Sequence, residues 1–200
     1  MLLQFTVAKI SKRQDDVLES VTHIESALYQ DQRGYFMETW SQSLSETLMV
    51  PTLSQVNLSH SKKGVIRGLH RQKPPYSQGK LVVCLSGAIQ DVVVDIDPKS
   101  SSFGKYTSNV LLGNTGNMLW VPKGLAHGFQ ALSEDTIVLY MTDSRYMPGF
   151  EETIYPLDKK IGISWKLDDF ILSAKDLEGI SLSSLRLDSE VNLKPRNETS

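Results

Sequence analysis

Between Tyr35 and Met141 the apolar residues come in short runs rich in Val, Ile, Leu and aromatics. Glycines such as Gly64, Gly79, Gly87, Gly104, Gly113 and Gly124 break those runs at turn-like intervals. No segment of that stretch sustains an i, i+3, i+4, i+7 apolar pattern over helical length. Short β-branched runs separated by turn residues bury their apolar faces by pairing into sheets. The chain therefore reads as all-β, a sandwich or barrel with few short helices. At 200 residues it is long enough to bury a core without disulfide or metal staples.

Side chains alternate along a strand, so the pattern also assigns faces. Gln55, Asn57 and Ser59 share one face, and Val56 and Leu58 share the other. Val92, Val94 and Ile96 lie opposite Asp91, Val93 and Asp95, and Tyr140 shares a face with Thr136 and Val138. A face of amides and a tyrosine suits either solvent or a wet barrel interior, and alternation leaves both open. The best helix start is Ser173-Ala-Lys-Asp176, which has the form of a capping box ahead of Leu177. Residues 1–180 read as one domain, and the polar, Ser-rich stretch 181–200 as a tail or loosely docked arm.

Charge and cysteine content remove several classes of function. Lys plus Arg is 21 against 23 Asp plus Glu, a net charge of -2, which argues against non-specific nucleic-acid binding. Cys84, the single cysteine, sits in the apolar run Leu81–Leu85, so it forms no internal disulfide or thiolate zinc cluster and reads as a buried, inert thiol. Met1–Lys9 has no basic n-region, and no window approaches the ~20 apolar residues of a membrane span. The expectation is a cytoplasmic protein with no membrane or nucleic-acid partner.

Arg33, Arg67, Lys80, His70 and His127 all sit beside glycines at strand edges, where a backbone can approach a ligand closely and a cation can meet an anion. His70 and His127 invite a metal site of the cupin kind, built on a His-x-His pair, a following Glu and a distant third His. Gln72 stands two residues after His70 and no Glu follows before Glu134, so no metal is expected. His23 and His60 lie in polar surroundings and read as surface residues. What remains is acid–base chemistry: His70 as a base if a carboxylate fixes its tautomer, Tyr140 as an acid, and Lys80 as a cation for a developing oxyanion. That trio suits proton abstraction next to a carbonyl.

In chain order, Asp31-Gln-Arg-Gly-Tyr-Phe-Met-Glu38, Gln55-Val-Asn57, Arg67-Gly-Leu-His-Arg-Gln72, Gly79-Lys-Leu81, Val121-Pro-Lys-Gly-Leu-Ala-His-Gly-Phe129, Tyr140, Tyr146-Met-Pro148 with Glu151, and Leu172-Ser-Ala-Lys-Asp176 form a recognisable series. It resembles the dTDP-4-dehydrorhamnose 3,5-epimerase family and its nucleotide-sugar epimerase relatives. The resemblance implies a cupin-like jelly-roll barrel, a homodimer, a nucleotide-sugar substrate, and no metal or other cofactor. It implies that His70 is the base paired with Asp176, that Tyr140 is the proton donor on the opposite face, and that Lys80, with Arg67, stabilises an enolate. Arg33, Glu38, Gln55, Asn57, His127, Tyr146 and Glu151 match positions that bind nucleotide, pyrophosphate or sugar. Epimerisation at both carbon 3 and carbon 5 of a 4-keto-6-deoxyhexose is the expected activity. A single-site epimerase, an enzyme for another nucleotide sugar such as a GDP-linked one, a non-catalytic binding module and a metal-dependent cupin remain as alternatives.

Overall fold

The computed structural model describes residues 10–49 and 52–185. Met1–Lys9 and the greater part of the 181–200 stretch lie outside the described residues. The chain runs β1 (Ile10–Gln14), β2 (Thr22–Ser26), β3 (Tyr29–Asp31), β4 (Gly34–Phe36), α1 (Gln42–Leu48), β5 (Gln55–Ser61), β6 (Ile66–Gln72) and β7 (Lys80–Ser86). It continues through β8 (Ala88–Val94), β9 (Tyr106–Leu112), β10 (Asn117–Val121), β11 (Ala126–Ala131), β12 (Thr136–Thr142), β13 (Glu151–Thr153) and α2 (Ala174–Leu177). Two antiparallel sheets face each other as a cupin-like jelly roll. One has the order β1-β2-β10-β7-β12-β5 and the other β13-β6-β11-β8-β9, while β3 and β4 form a two-stranded sheet.

Three apolar layers hold this sandwich. Val82, Cys84, Leu119, Val121 and Val138 from the first sheet meet Ile89, Val93, Leu111 and Phe129 from the second between the two sheets. Outside the first sheet, Leu44 of α1 packs on Ile24, Leu81, Val83, Met118 and Trp120. Outside the second, the chain after β13 brings Ile154, Ile161, Leu182 and Leu185 onto Leu69, Val92 and Val94. The start of the 181–200 stretch is thus docked: Leu182 and Leu185 are each 7% exposed, and burying a Leu stabilises by roughly 1.5–3 kcal/mol. Cys84 lies in the central layer, where burial pushes its thiol up to about 11.

Two local features depart from the sequence expectations. α1 is a two-turn helix with one fully buried residue, Leu44, too short to show a helical period. Its visible signal is Ser41, whose Oγ accepts the Leu44 N–H at 3.2 Å. His23 is not a surface residue: its side chain is 14% exposed and its Nε2 bonds Asp15 Oδ2 at 2.9 Å. Asp15 also accepts from the backbone N–H groups of Val17 and Leu18 and from Thr107 Oγ1 on the facing sheet. Burial alone would raise this carboxyl, but the four hydrogen bonds hold it down at about 2. His60, by contrast, is exposed beside Asp135.

Candidate active site

The central apolar layer does not fill the end of the sandwich where β5, β7 and β11 begin and β6 and β12 finish. A pocket of about 660 Å³ opens there, within the size range of small-molecule sites. Gln55 and Asn57 of β5 point into it, while Val56 and Leu58 face outwards at 59% and 62% exposed. The amide face of β5 therefore lines a wet interior. Tyr140 of β12 stands beside Asn57, its register partner, on the first sheet. His70 of β6 and His127 of β11 are register partners on the second sheet, across the pocket from Tyr140.

Strict alternation would send Arg67 and His70 to opposite faces, yet both line the pocket. The reason is a bulge. Residues Arg67 and His70 on β6 pair with Phe129 and His127 on β11, so three steps on one strand match two on the other. Gly68 makes this possible. Its φ is +117°, and a Cβ there would lie 2.7 Å from both the Gly128 Cα and the His127 carbonyl oxygen. Arg67 is then held by Ser61 Oγ and the His60 carbonyl, both 3.0 Å away.

Asp176 has two roles at once. Its Oδ2 accepts from Ser173 Oγ at 2.8 Å, and its backbone N–H donates back to Ser173 Oγ, which caps α2. Its Oδ1 accepts from His70 Nε2 at 2.6 Å. That bond assigns the proton to Nε2 and leaves Nδ1 with a lone pair. Burial would raise the Asp176 carboxyl, but the hydrogen bonds from His70 and Ser173 hold it below the usual carboxylate range. On the other side of the ring, Glu151 Oε1 is 3.7 Å from Nδ1. Glu151 is pulled down against its own burial by Lys175, His70 and Tyr146. His127 has its own carboxylate, Asp91, whose Oδ2 is 2.8 Å from Nε2. Among the described residues no group of three or more His, Cys, Asp or Glu converges as a metal site.

The pattern that defines the dTDP-4-dehydrorhamnose 3,5-epimerase family matches residues 16–184. The chain belongs to that family. It is 41% identical over 171 residues to the dTDP-4-dehydrorhamnose 3,5-epimerase of Escherichia coli (strain K12), covering 84% of this chain and 92% of that one. It superposes with a TM-score of 0.83 and 36% identity on the dTDP-6-deoxy-D-glucose-3,5-epimerase of Legionella pneumophila Philadelphia 1 in complex with dTDP-4-keto-L-rhamnose, covering 88% of this chain and 94% of that one. A 3'-monoepimerase from Streptomyces bikiniensis in complex with dTDP-quinovose gives the same TM-score at 28% identity, covering 88% and 90%.

Ten of the residues singled out from the sequence line this pocket: Gln55, Asn57, Arg67, His70, Lys80, His127, Tyr140, Tyr146, Glu151 and Asp176. Arg33 and Glu38 are not among its lining residues. Arg33 is 84% exposed on the β3–β4 hairpin, paired with Asp31. Tyr35 ties that hairpin to Asn114, next to Gly113, which bonds Gly87 at the far end of β7. Lys80 marks the pocket end of β7, and the strand of seven residues separates the two ends by roughly 20 Å. Lys175 lines the pocket and pairs with Glu151, a role that its place on α2 did not signal in the sequence.

Lys80 reaches across from the first sheet, its Nζ donating to the His70 carbonyl at 3.2 Å. Burial pulls its ammonium down to about 8, against the opposing pull of Glu151 and Asp91. The cation is therefore present below about pH 8 and lost as the pH rises through it. A carbon-detected NMR titration of labelled lysines should show one resonance moving near pH 8 and missing in Lys80→Met. A Lys80 resonance that titrates only near 10.5 contradicts this.

Proposed function

We propose that the protein epimerises a nucleotide-linked 4-keto-6-deoxyhexose at carbons 3 and 5, converting dTDP-4-dehydro-6-deoxyglucose to dTDP-4-dehydrorhamnose. The observation that carries this reading is the placing of a His–carboxylate base and a tyrosine on opposite sheets of one pocket, with a buried lysine beside them. Relatives with those activities share the fold over most of the chain.

The C4 ketone makes the hydrogens on carbons 3 and 5 acidic, because removing either leaves an enolate. His70 takes the proton through Nδ1, and Asp176 stabilises the imidazolium that forms. Negative charge gathers on the ketone oxygen, where the Lys80 ammonium meets it, with Arg67 adding to the positive field. Tyr140 returns a proton from the other face, and the configuration inverts. Each epimerisation breaks one C–H bond and makes one, so electrons balance without a redox partner. Asn57 and His127 on the pocket walls, with Tyr146, Glu151 and Lys175 at the mouth, hold the nucleotide and sugar. Lys175, which faces the same cavity as Arg67, suits a diphosphate.

A second copy of the chain belongs to this reading. Val56 and Leu58 leave an apolar outer face on β5, the edge strand of the first sheet, and Phe36 is 68% exposed on the Arg33 hairpin. A homodimer covers such surfaces, and Arg33 reaches a substrate only from a partner, since its own pocket lies at the other end of β7; Glu38, also outside its own pocket's lining, is assigned the same role. Sedimentation velocity should give the mass of two chains, and Leu58→Glu should give monomers of reduced activity. A fully active monomer contradicts the dimer.

The activity is tested by proton NMR of dTDP-4-keto-6-deoxyglucose with enzyme in deuterium oxide. Signals at both carbon 3 and carbon 5 should disappear, and folded His70→Ala should abolish both losses. Tyr140→Phe should slow turnover by about 10²-fold or more, the scale of a lost general acid. Exchange at one carbon alone makes the protein a mono-epimerase. No exchange at either, or undiminished exchange in His70→Ala, contradicts the proposal.

A further inference from the structure

The connection at 143–150 joins β12 to β13 and carries Tyr146 to the pocket mouth. Backbone bonds tie its two ends, the Asp143 N–H to the Gly79 carbonyl and the Lys73 N–H to the Phe150 carbonyl, and between them side-chain amides hold the backbone. Gln78 Nε2 donates to the Ser144 carbonyl at 2.6 Å, and Gln72 Nε2 to the Arg145 carbonyl at 3.2 Å. The Tyr146 N–H donates to Gln55 Oε1 at 2.8 Å, and the Met147 N–H to Gln72 Oε1 at 2.6 Å. Consecutive residues 144–147 are thus each held by a glutamine, and the three glutamines come from β5, the end of β6 and the approach to β7.

Gln72 is the centre of this arrangement. It is 3% exposed, and both of its amide N–H groups are used, since Nε2 also donates to the Tyr76 carbonyl at 2.8 Å. With carbonyls on the nitrogen side and an N–H on the oxygen side, only one orientation of the amide fits. The Tyr76 turn is thereby tied to the same place, where the Tyr76 ring meets Phe150 edge-on at a centroid distance of 4.5 Å. At the position where a metal-binding cupin carries its second histidine, this chain has a side chain turned wholly onto loop backbone. Tyr146 is fixed at both ends, by Gln55 at its N–H and by Glu151 Oε2, which accepts from its hydroxyl at 3.1 Å. Its ring is nevertheless 45% exposed.

We infer that Gln55, Gln72 and Gln78 form an amide cradle that preorganises Tyr146 as a wall of the binding site, with Gln72 as its positioning residue. The inference rests on the reading that the pocket takes a nucleotide sugar. A free loop has to lose backbone freedom when the ligand arrives, which weakens binding. The cradle makes that ordering part of folding instead. His70, Tyr140 and Asp176 stand on β6, β12 and α2, outside the loop, so loss of the cradle weakens binding more than it slows chemistry.

Hydrogen exchange on the ligand-free protein tests the cradle without any catalysis. Gln72→Ala should speed exchange in peptides covering 144–151 by roughly tenfold or more, while β7 and β12 keep their protection. With dTDP-4-keto-6-deoxyglucose, KM should rise roughly tenfold and kcat should stay within about threefold of wild type. The KM effect should vanish in a Tyr146→Ala background, because the two residues act through one element. Unchanged loop exchange, a fall in kcat at constant KM, or KM effects that simply multiply would each overturn the inference. If Gln72→Ala does not fold, Gln78→Ala supports the same exchange comparison with a smaller expected effect, because the Ser144 carbonyl keeps its bond from Thr142 Oγ1 at 2.8 Å. Should wild type leave the sugar unchanged, the epimerase reading fails by itself. Loop exchange and the Kd for dTDP in the same variants then still decide the cradle.

Discussion

A hydrogen bond between residues 106 positions apart, His70 Nε2 to Asp176 Oδ1 at 2.6 Å, sets what the chain after β13 has to do. Most of that stretch is irregular, so its backbone needs partners that a sheet would otherwise supply. Gln90 and Gln130, both fully buried, provide them: Gln90 bonds the Ser164 carbonyl and the Lys166 N–H, and Gln130 bonds the N–H and carbonyl of Leu167. Ile171 then bridges to Gly64 and Ile66, and Leu182 and Leu185 anchor the chain beyond α2 in the core. Between these fixed points α2 is short, and its cap and the histidine share one carboxylate. A strap of this kind gives His70 its carboxylate partner while leaving the pocket mouth open.

The same economy appears on β6. One extra residue at Gly68 turns Arg67 and His70 to the same side, and the cost is a backbone position that only glycine fills without collision. Lys80 enters from the other sheet and meets the His70 carbonyl, so His70, Lys80 and Tyr140 come together from strands that are far apart in sequence. Carboxylates at the pocket each bond a neighbouring side chain, Asp176 with His70, Asp91 with His127 and Glu151 with Lys175. Among the described residues Lys80 has no carboxylate at ion-pair distance, and that is why burial can lower its proton affinity.

Much of this was legible in the sequence because it is local. Period-2 alternation separates Gln55 and Asn57 from Val56 and Leu58, and the spacing of Ser173 and Asp176 marks a helix cap. What alternation lacked was the sign of the face, which depends on how two sheets close around a cavity. The bulge at Gly68 was needed once Arg67 and His70 were placed in one site, but only register with β11 locates it. Side-chain amides that hold distant loops, such as Gln72, Gln90 and Gln130, leave no periodic trace. Arg33 matched a family motif, yet motif order carries no information about which end of β7 its hairpin occupies. His23 looked solvent-facing because Asp15 and Thr107, its buried surroundings, come from a turn and from the opposite sheet.

The central claim is that Asp176 makes His70 a base, and Asp176→Asn tests it most directly. The substitution keeps the size of the side chain and can keep the Ser173 cap, but it removes the charge and can present an N–H to the ring, favouring the wrong tautomer. Steady-state kinetics on the folded variant should show kcat lower by about 10²–10⁴-fold, the range expected when a histidine base loses its carboxylate, with KM little changed. A kcat close to wild type would contradict the account and move the base to another residue of the pocket.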